Sequence, residues 1–187
     1  MATRLGRIVR GVTVHRFGCA LALAIWCGPL LVREAHGQTP STATSLDPLL
    51  RMSPAELELL YRQGTVVAIP EGPIRGTAIL SPGTRRTRPL SRGARLFWQG
   101  KVFEPGGATA VNRFFGLRMV RAQVVQGPSW LDGGPALVLD YSRTSRIYAD
   151  NRDEIRQVAP GLFLGLMYDR TTAPPGLKLY FALETQP

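Results

Sequence analysis

The chain has 187 residues and a formal net charge of +10, a length that fits one domain with an appendage. Residues 1–37 read as an export signal: Arg4, Arg7, Arg10 and Arg16 precede an uncharged apolar run over 17–32, and Ala35-His36-Gly37 suits a small-residue cleavage site. Cleavage after Gly37 removes His15, His36, Cys19 and Cys27, which are every histidine and cysteine in the chain, and so excludes thiol or imidazole catalysis, disulfides and Cys/His metal sites from the exported part.

Sixteen apolar residues interrupted by Gly28-Pro29 are short for a membrane span of about 20, so the expectation is export to the periplasm or beyond. The same cut takes away five arginines and one glutamate and lowers the net charge to +6. Only Lys101 and Lys178 are lysines, so the basicity is arginine. No helix-turn-helix, zinc-finger or paired-aromatic motif points to nucleic acid. No cofactor is implied.

Residues 38–45 (QTPSTATS) form a small, polar linker, and the domain is expected over 46–187. Ser53-Pro54-Ala55-Glu56 carries a helix start: Ser53 as N-cap, Pro54 at the first helical position, Glu56 as the reciprocal capping acid. Leu57, Leu60 and Tyr61 share one face of this short amphipathic helix, and Gly64 stops it.

After Gly64 the chain reads as strand and turn. Strands are expected over 65–69 and 74–80, then over 95–104, then from 110 to 126 with Gly116 as a bulge or sharp bend. Trp130 to Gly134 is a tight turn, followed by strands over 136–141, 154–158, 162–169 and 177–185, with Pro160-Gly161 turning between two of them. Residues 85–95 hold Arg85, Arg86, Arg88, Arg92 and Arg95 among Pro, Ser and Gly, and read as a solvated loop.

Seven or eight strands without interleaved helices argue for an all-β, antiparallel fold. Long strands that bend at Gly100, Gly116 and Gly165 close most simply into a barrel, with a sandwich as the alternative. The amphipathic helix would cover one mouth.

Alternation places Leu162, Leu164, Leu166 and Tyr168 on one face. The 95–104 strand is apolar on both faces, with Leu96, Trp98 and Val102 on one, and Phe97 and Phe103 with Gln99 and Lys101 on the other. One face is then core and the other a cavity wall or a helix contact. Asp140, Arg152, Asp153, Glu154 and Arg156 crowd one inter-strand region, where they either tie a barrel rim through ion pairs or grip an anionic head group.

Trp98-x-Gly100-Lys101-x-Phe103, Asn112-Arg113-Phe114, Ser129-Trp130-Leu131-Asp132-Gly133, Ala136 to Tyr141 and Arg152 to Gly165 together look like an uncharacterised family of bacterial proteins, over roughly residues 46–184. That pattern is similar to lipocalin-like, or calycin, β-barrels. The resemblance implies a barrel of about eight strands that binds small hydrophobic molecules and is only occasionally an enzyme.

Candidate binding residues are Trp98, Phe103, Phe114 and Tyr168 as apolar wall, with Lys101, Arg113, Asp140 or Arg156 at the polar end of a hydrophobic or anionic amphipathic ligand. A cofactor-free isomerase or decarboxylase using Asp140, Glu154 and arginines is the alternative, and a structural barrel filled by its own side chains is another. A weak contact of Arg85, Arg86, Arg88 and Arg92 with an anionic membrane surface is a further expectation.

Overall fold

A computed structural model describes residues 45–185. The export signal expected over 1–37, and the linker apart from Ser45, lie outside the described residues. Two helices come first, α1 (Leu46–Leu49) and α2 (Pro54–Gln63), then β1 (Gly72–Ile79), α3 (Thr87–Ala94), β2 (Trp98–Phe103), β3 (Thr109–Phe114), β4 (Leu117–Pro128), β5 (Pro135–Asp140), β6 (Asn151–Ala159), β7 (Leu162–Asp169) and β8 (Gly176–Glu184). The strands pair in sequence order, all antiparallel, and β1 also pairs with β8, so the sheet closes into an eight-stranded barrel and leaves no edge. Closure of the ring decides between barrel and sandwich.

Two apolar clusters lie on opposite faces of this wall. Every strand contributes to the first, with Ile74, Phe103, Ala110, Ala122, Leu139, Ile155, Phe163 and Phe181 among its members, so it fills the barrel. The second combines Leu57, Leu60 and Tyr61 of α2 with Leu162, Leu164, Leu166 and Tyr168 of β7 and with β8 and β1 residues. The face shared by the four β7 residues was legible from alternation, but it is the outer one.

Helix α2 therefore packs on the outer wall and covers no mouth. Its capping box is formed as expected, with the Ser53 side chain accepting from the Glu56 N–H and Glu56 accepting from the Ser53 N–H at 2.7 Å. Ser53 hydrogen bonds to the Glu56 carboxylate hold it below the ordinary carboxylate range.

The mouth at the other side is flanked by α3, in the segment expected to be a solvated loop. Thr87 starts this helix by donating its hydroxyl to the Ser81 and Thr84 carbonyls, Pro89 falls in the tolerant first turn, and Ser91 accepts from the Leu80 N–H. These local side-chain bonds order an arginine-rich stretch that composition alone left as loop. Arg95, Leu96 and Phe97 belong to the turn after α3, so β2 starts only at Trp98.

Two other expectations are corrected. Residues 65–69 form no strand: Thr65 alone bridges Gln157, because the closed ring offers no edge for a ninth strand. The 110–126 segment is not one bent strand but the β3–β4 hairpin, reversed at Phe115 and Gly116 with φ of 52° and 81°. Two consecutive left-handed residues make the tight hairpin turn that Asn-Gly usually signals, and Phe at the first position concealed it.

Candidate functional site

The barrel interior is filled at one end and open at the other. Phe103, Ile74, Leu139 and Ile155 pack the filled end. Toward the α3 end lies a pocket of about 230 Å³, lined mainly by apolar groups that include Trp98, Phe114, Tyr148, Met167 and Phe181. Its polar members are Lys101, Asn112 and Asp153.

Strand alternation would put Trp98 and Lys101, three residues apart, on opposite faces. The β2–β3 register instead slips between Trp98 and Gly100, and both side chains face the pocket. Gly100 makes this possible: its φ is +119°, and a Cβ there would stand 2.1 Å from the Ile74 carbonyl oxygen of β1.

Lys101 is 2 % exposed. Its Nζ donates to Asp153 Oδ2 at 2.7 Å, Asn112 Oδ1 at 2.8 Å and the Tyr141 hydroxyl at 2.9 Å, which uses all three of its protons. The ammonium also lies 5.2–5.6 Å from the ring centres of Phe181, Trp98 and Tyr141.

Tyr141 donates to Asp153 Oδ2 at 2.7 Å, and Trp98 Nε1 donates to Asn112 Oδ1 at 2.9 Å. Asn112 and Lys101 face each other across β2 and β3, so register alone brings them together. Burial pushes Lys101 below the ordinary lysine range against the pull of Asp153, and burial together with the Asp153 charge pushes the Tyr141 phenol well up. Tyr141 is accordingly a neutral donor. One polar atom of this network, Asp153 Oδ1, is buried without a hydrogen-bond partner.

The residues expected to bind a ligand separate into three places. Trp98, Lys101 and Phe114 line the pocket, while Phe103 lies in the filled part of the barrel. Arg113 alternates with Asn112 and Phe114 and lines an outer groove with Arg75 and Arg95.

Arg156 and Tyr168 belong to the outer wall. Arg156 donates to both Asp132 oxygens at 2.7 and 2.8 Å, to the Pro135 carbonyl at 2.8 Å and to the Tyr61 carbonyl at 3.2 Å, near the C-terminal end of α2 where a cation suits the helix dipole. Tyr168 stacks edge-on against Trp130, with centroids 5.5 Å apart.

Glu154 is likewise outer, and fully buried: it accepts from the Ser129 hydroxyl, the Trp130 N–H and Arg152. Asp140 sits half-buried at the end of β5, paired with Arg170 at 3.0 Å. Asp140 and Glu154 thus have different partners, on the rim and on the outer wall, and neither lines the pocket.

Asn112, Tyr141, Tyr148, Asp153 and Phe181 complete the pocket network and were not among the expected binding residues. A signal for Asp153 existed: Lys101 lies in a strand apolar on both faces, so its charge needs a buried acid, and Asp153 is two residues from the inward Ile155.

No family model and no curated protein matches the chain. A solved structure of a protein from Thermomonospora curvata aligns with 73 % of this chain and 90 % of its own, at 19 % identity and a TM-score of 0.48.

Proposed function

We propose that the barrel binds a small, mostly apolar molecule in the pocket beside Trp98, in the manner of lipocalin-like carriers, and that this molecule presents a hydrogen-bond donor to Asp153. The single observation behind this reading is Asp153 Oδ1, a carboxylate oxygen without a hydrogen-bond partner on a residue that lines a mainly apolar cavity. Burying such an atom unpaired costs about 1–3 kcal/mol, which a ligand donor would offset.

An anionic head group is the weaker candidate for the ligand, because all three Lys101 protons are already committed. At about 230 Å³ the pocket is smaller than the roughly 300–1,000 Å³ that hold drug-sized molecules, so a single ring or a short chain is the expected occupant.

The compact unit Gln38–Pro187 contains every strand and both apolar clusters, and serves for the test in a Trp130→Phe background that leaves Trp98 as the reporter. Titration with phenol, benzyl alcohol and benzylamine should shift Trp98 emission, with benzoate binding at least about tenfold more weakly, the factor that roughly 1.4 kcal/mol gives. No response to any of these probes up to millimolar concentration would leave a barrel filled by its own side chains as the reading.

Catalysis is the second reading, and Asp153 favours it over Asp140 and Glu154. A carboxylate in an apolar pocket can take up a proton from a bound substrate. Turnover of donor-bearing cyclic alcohols or enols that Asp153→Asn abolishes while the fold persists would establish it. We further propose export; N-terminal mass spectrometry that finds Gln38 as the first residue outside the cytoplasm tests that reading, and an intact chain inside it would overturn it.

A further inference from the structure

The α3 end of the barrel carries apolar side chains that lie largely in solvent. Leu96, Phe97, Phe115, Leu117 and Ile147 are all more than half exposed, Ile147 at 85 %. They converge on one end: Phe97 and Phe115 stack edge-on with centroids 5.3 Å apart, Leu96 adjoins Phe97, and Ile147 adjoins Tyr148, whose ring lies 5.9 Å from that of Phe114. Phe97 and Tyr148 also line the pocket, so this apolar rim adjoins it.

The groove beside Leu96 is lined by charge of one sign, while the acids at this barrel end, Asp140, Asp150 and Asp169, lie on the β5–β7 side. Arg75, Arg95 and Arg113 line a groove of about 620 Å³ together with Leu96 and Gly116, and no acidic residue shares it. None of these three arginines is in an ion pair among the described residues, whereas Arg121, Arg156 and Arg170 each hold a carboxylate. Arg92 on α3 and Arg118 on β4 add exposed cations nearby, and residues 80–97 contain no acid.

Phe115 sharpens the pattern. It occupies a left-handed turn position, where an aromatic ring is a costly choice, and it exposes that ring to solvent. Turn chemistry calls for Asn or Gly there, so the ring itself has some other use.

We infer that this end of the barrel docks on an anionic phospholipid bilayer, with Leu96, Phe97, Phe115 and Leu117 entering the headgroup boundary and Arg75, Arg95 and Arg113 holding lipid phosphates. Exposed aromatic and aliphatic groups flanked by arginines match both layers of such a surface, apolar acyl chain and anionic headgroup. The arginines already expected to contact membranes, Arg85, Arg86 and Arg92, reinforce the field from the α3 side, while Arg88 is held by Asp47 at 2.8 Å. The pocket then lies beside the docked surface, with Phe97 shared between the two. Docking does not depend on the pocket's occupant, so the vesicle and fluorescence experiments succeed or fail separately.

The test is co-sedimentation of the Gln38–Pro187 unit with phosphatidylcholine vesicles, with and without about one-quarter phosphatidylglycerol. Binding should be about tenfold or more stronger to the anionic vesicles and should fall steeply at about 0.5 M salt, where screening is short-ranged. Phe115→Asn and the double variant Arg95→Gln/Arg113→Gln should each weaken it about tenfold, with the barrel still folded by circular dichroism. Equal binding to both vesicle types, variants that bind like the parent, or a dimer that hides the rim and ignores vesicles would each overturn the inference.

Discussion

Arg156 of β6 grips Asp132 of the β4–β5 turn with two parallel hydrogen bonds, 2.7 and 2.8 Å long, and its guanidinium lies over the Tyr61 ring at 4.5 Å. One side chain thereby joins the barrel wall, a turn and helix α2. Gly134 makes room for it, since a Cβ there would stand 2.9 Å from Arg156 Nη2.

Arg156→Gln should lower stability by about 1.5–3 kcal/mol, the range for charge-assisted hydrogen bonds, and leave probe binding beside Trp98 unchanged. Arg156 hydrogen bonds hold the Asp132 carboxyl below its ordinary range. A depressed folded-state value means that the stabilisation is fully present above the unfolded value of about 4 and is lost as pH falls through the folded one. The melting-temperature gap between parent and variant should therefore narrow below about pH 4, as followed by thermal scans.

Lys101 and Asp153 should behave as a unit. Lys101→Met leaves a buried carboxylate without its cation and should cost about 3–5 kcal/mol. Lys101→Met/Asp153→Leu replaces the pair by apolar groups and should recover most of that loss in urea denaturation, as a double-mutant cycle would quantify. If the double variant is as unstable as the single one, packing of the lysine stem rather than the charge pair holds this region.

Gly165 of β7 faces the Phe181 ring, where an added Cβ would come within 2.1 Å. Phe181 in turn packs edge-on against Trp98, with centroids 5.5 Å apart. Gly165→Ala should destabilise by about 1–3 kcal/mol through overpacking and should shift Trp98 emission without any ligand, readable in a Trp130→Phe background.

Phe115→Asn separates folding from docking. Relief of the left-handed backbone, about 1–2 kcal/mol, opposes loss of the Phe97 contact, about 0.5–1.5 kcal/mol, so thermal stability should fall by no more than about 0.5 kcal/mol and rise by no more than about 1.5 kcal/mol. A large loss of stability would show instead that the Phe97–Phe115 pair holds the α3 end together.

Local chemistry was legible in the sequence. The Ser53–Glu56 capping box, the Pro160-Gly161 turn with Gly161 at φ 71° and the apolar face of β7 depend on residues close together in the chain. Such features follow from hydrogen bonds and periodicities that span a few residues. Trp98 and Lys101 were singled out for the same reason, as an apolar and a charged group in a strand with two apolar faces.

Tertiary structure alone decided which face was which. Arg156 and Tyr168 stand outside the barrel because β6 and β7 turn those positions toward α2, a choice that alternation leaves degenerate. Trp98 and Lys101 share the interior only because a bulge at Gly100 breaks the period of two. Asp153 meets Lys101 from 52 residues away, and such a contact exists only after β1 has paired with β8 and closed the ring. Ring closure is a long-range event whose partners no local pattern specifies.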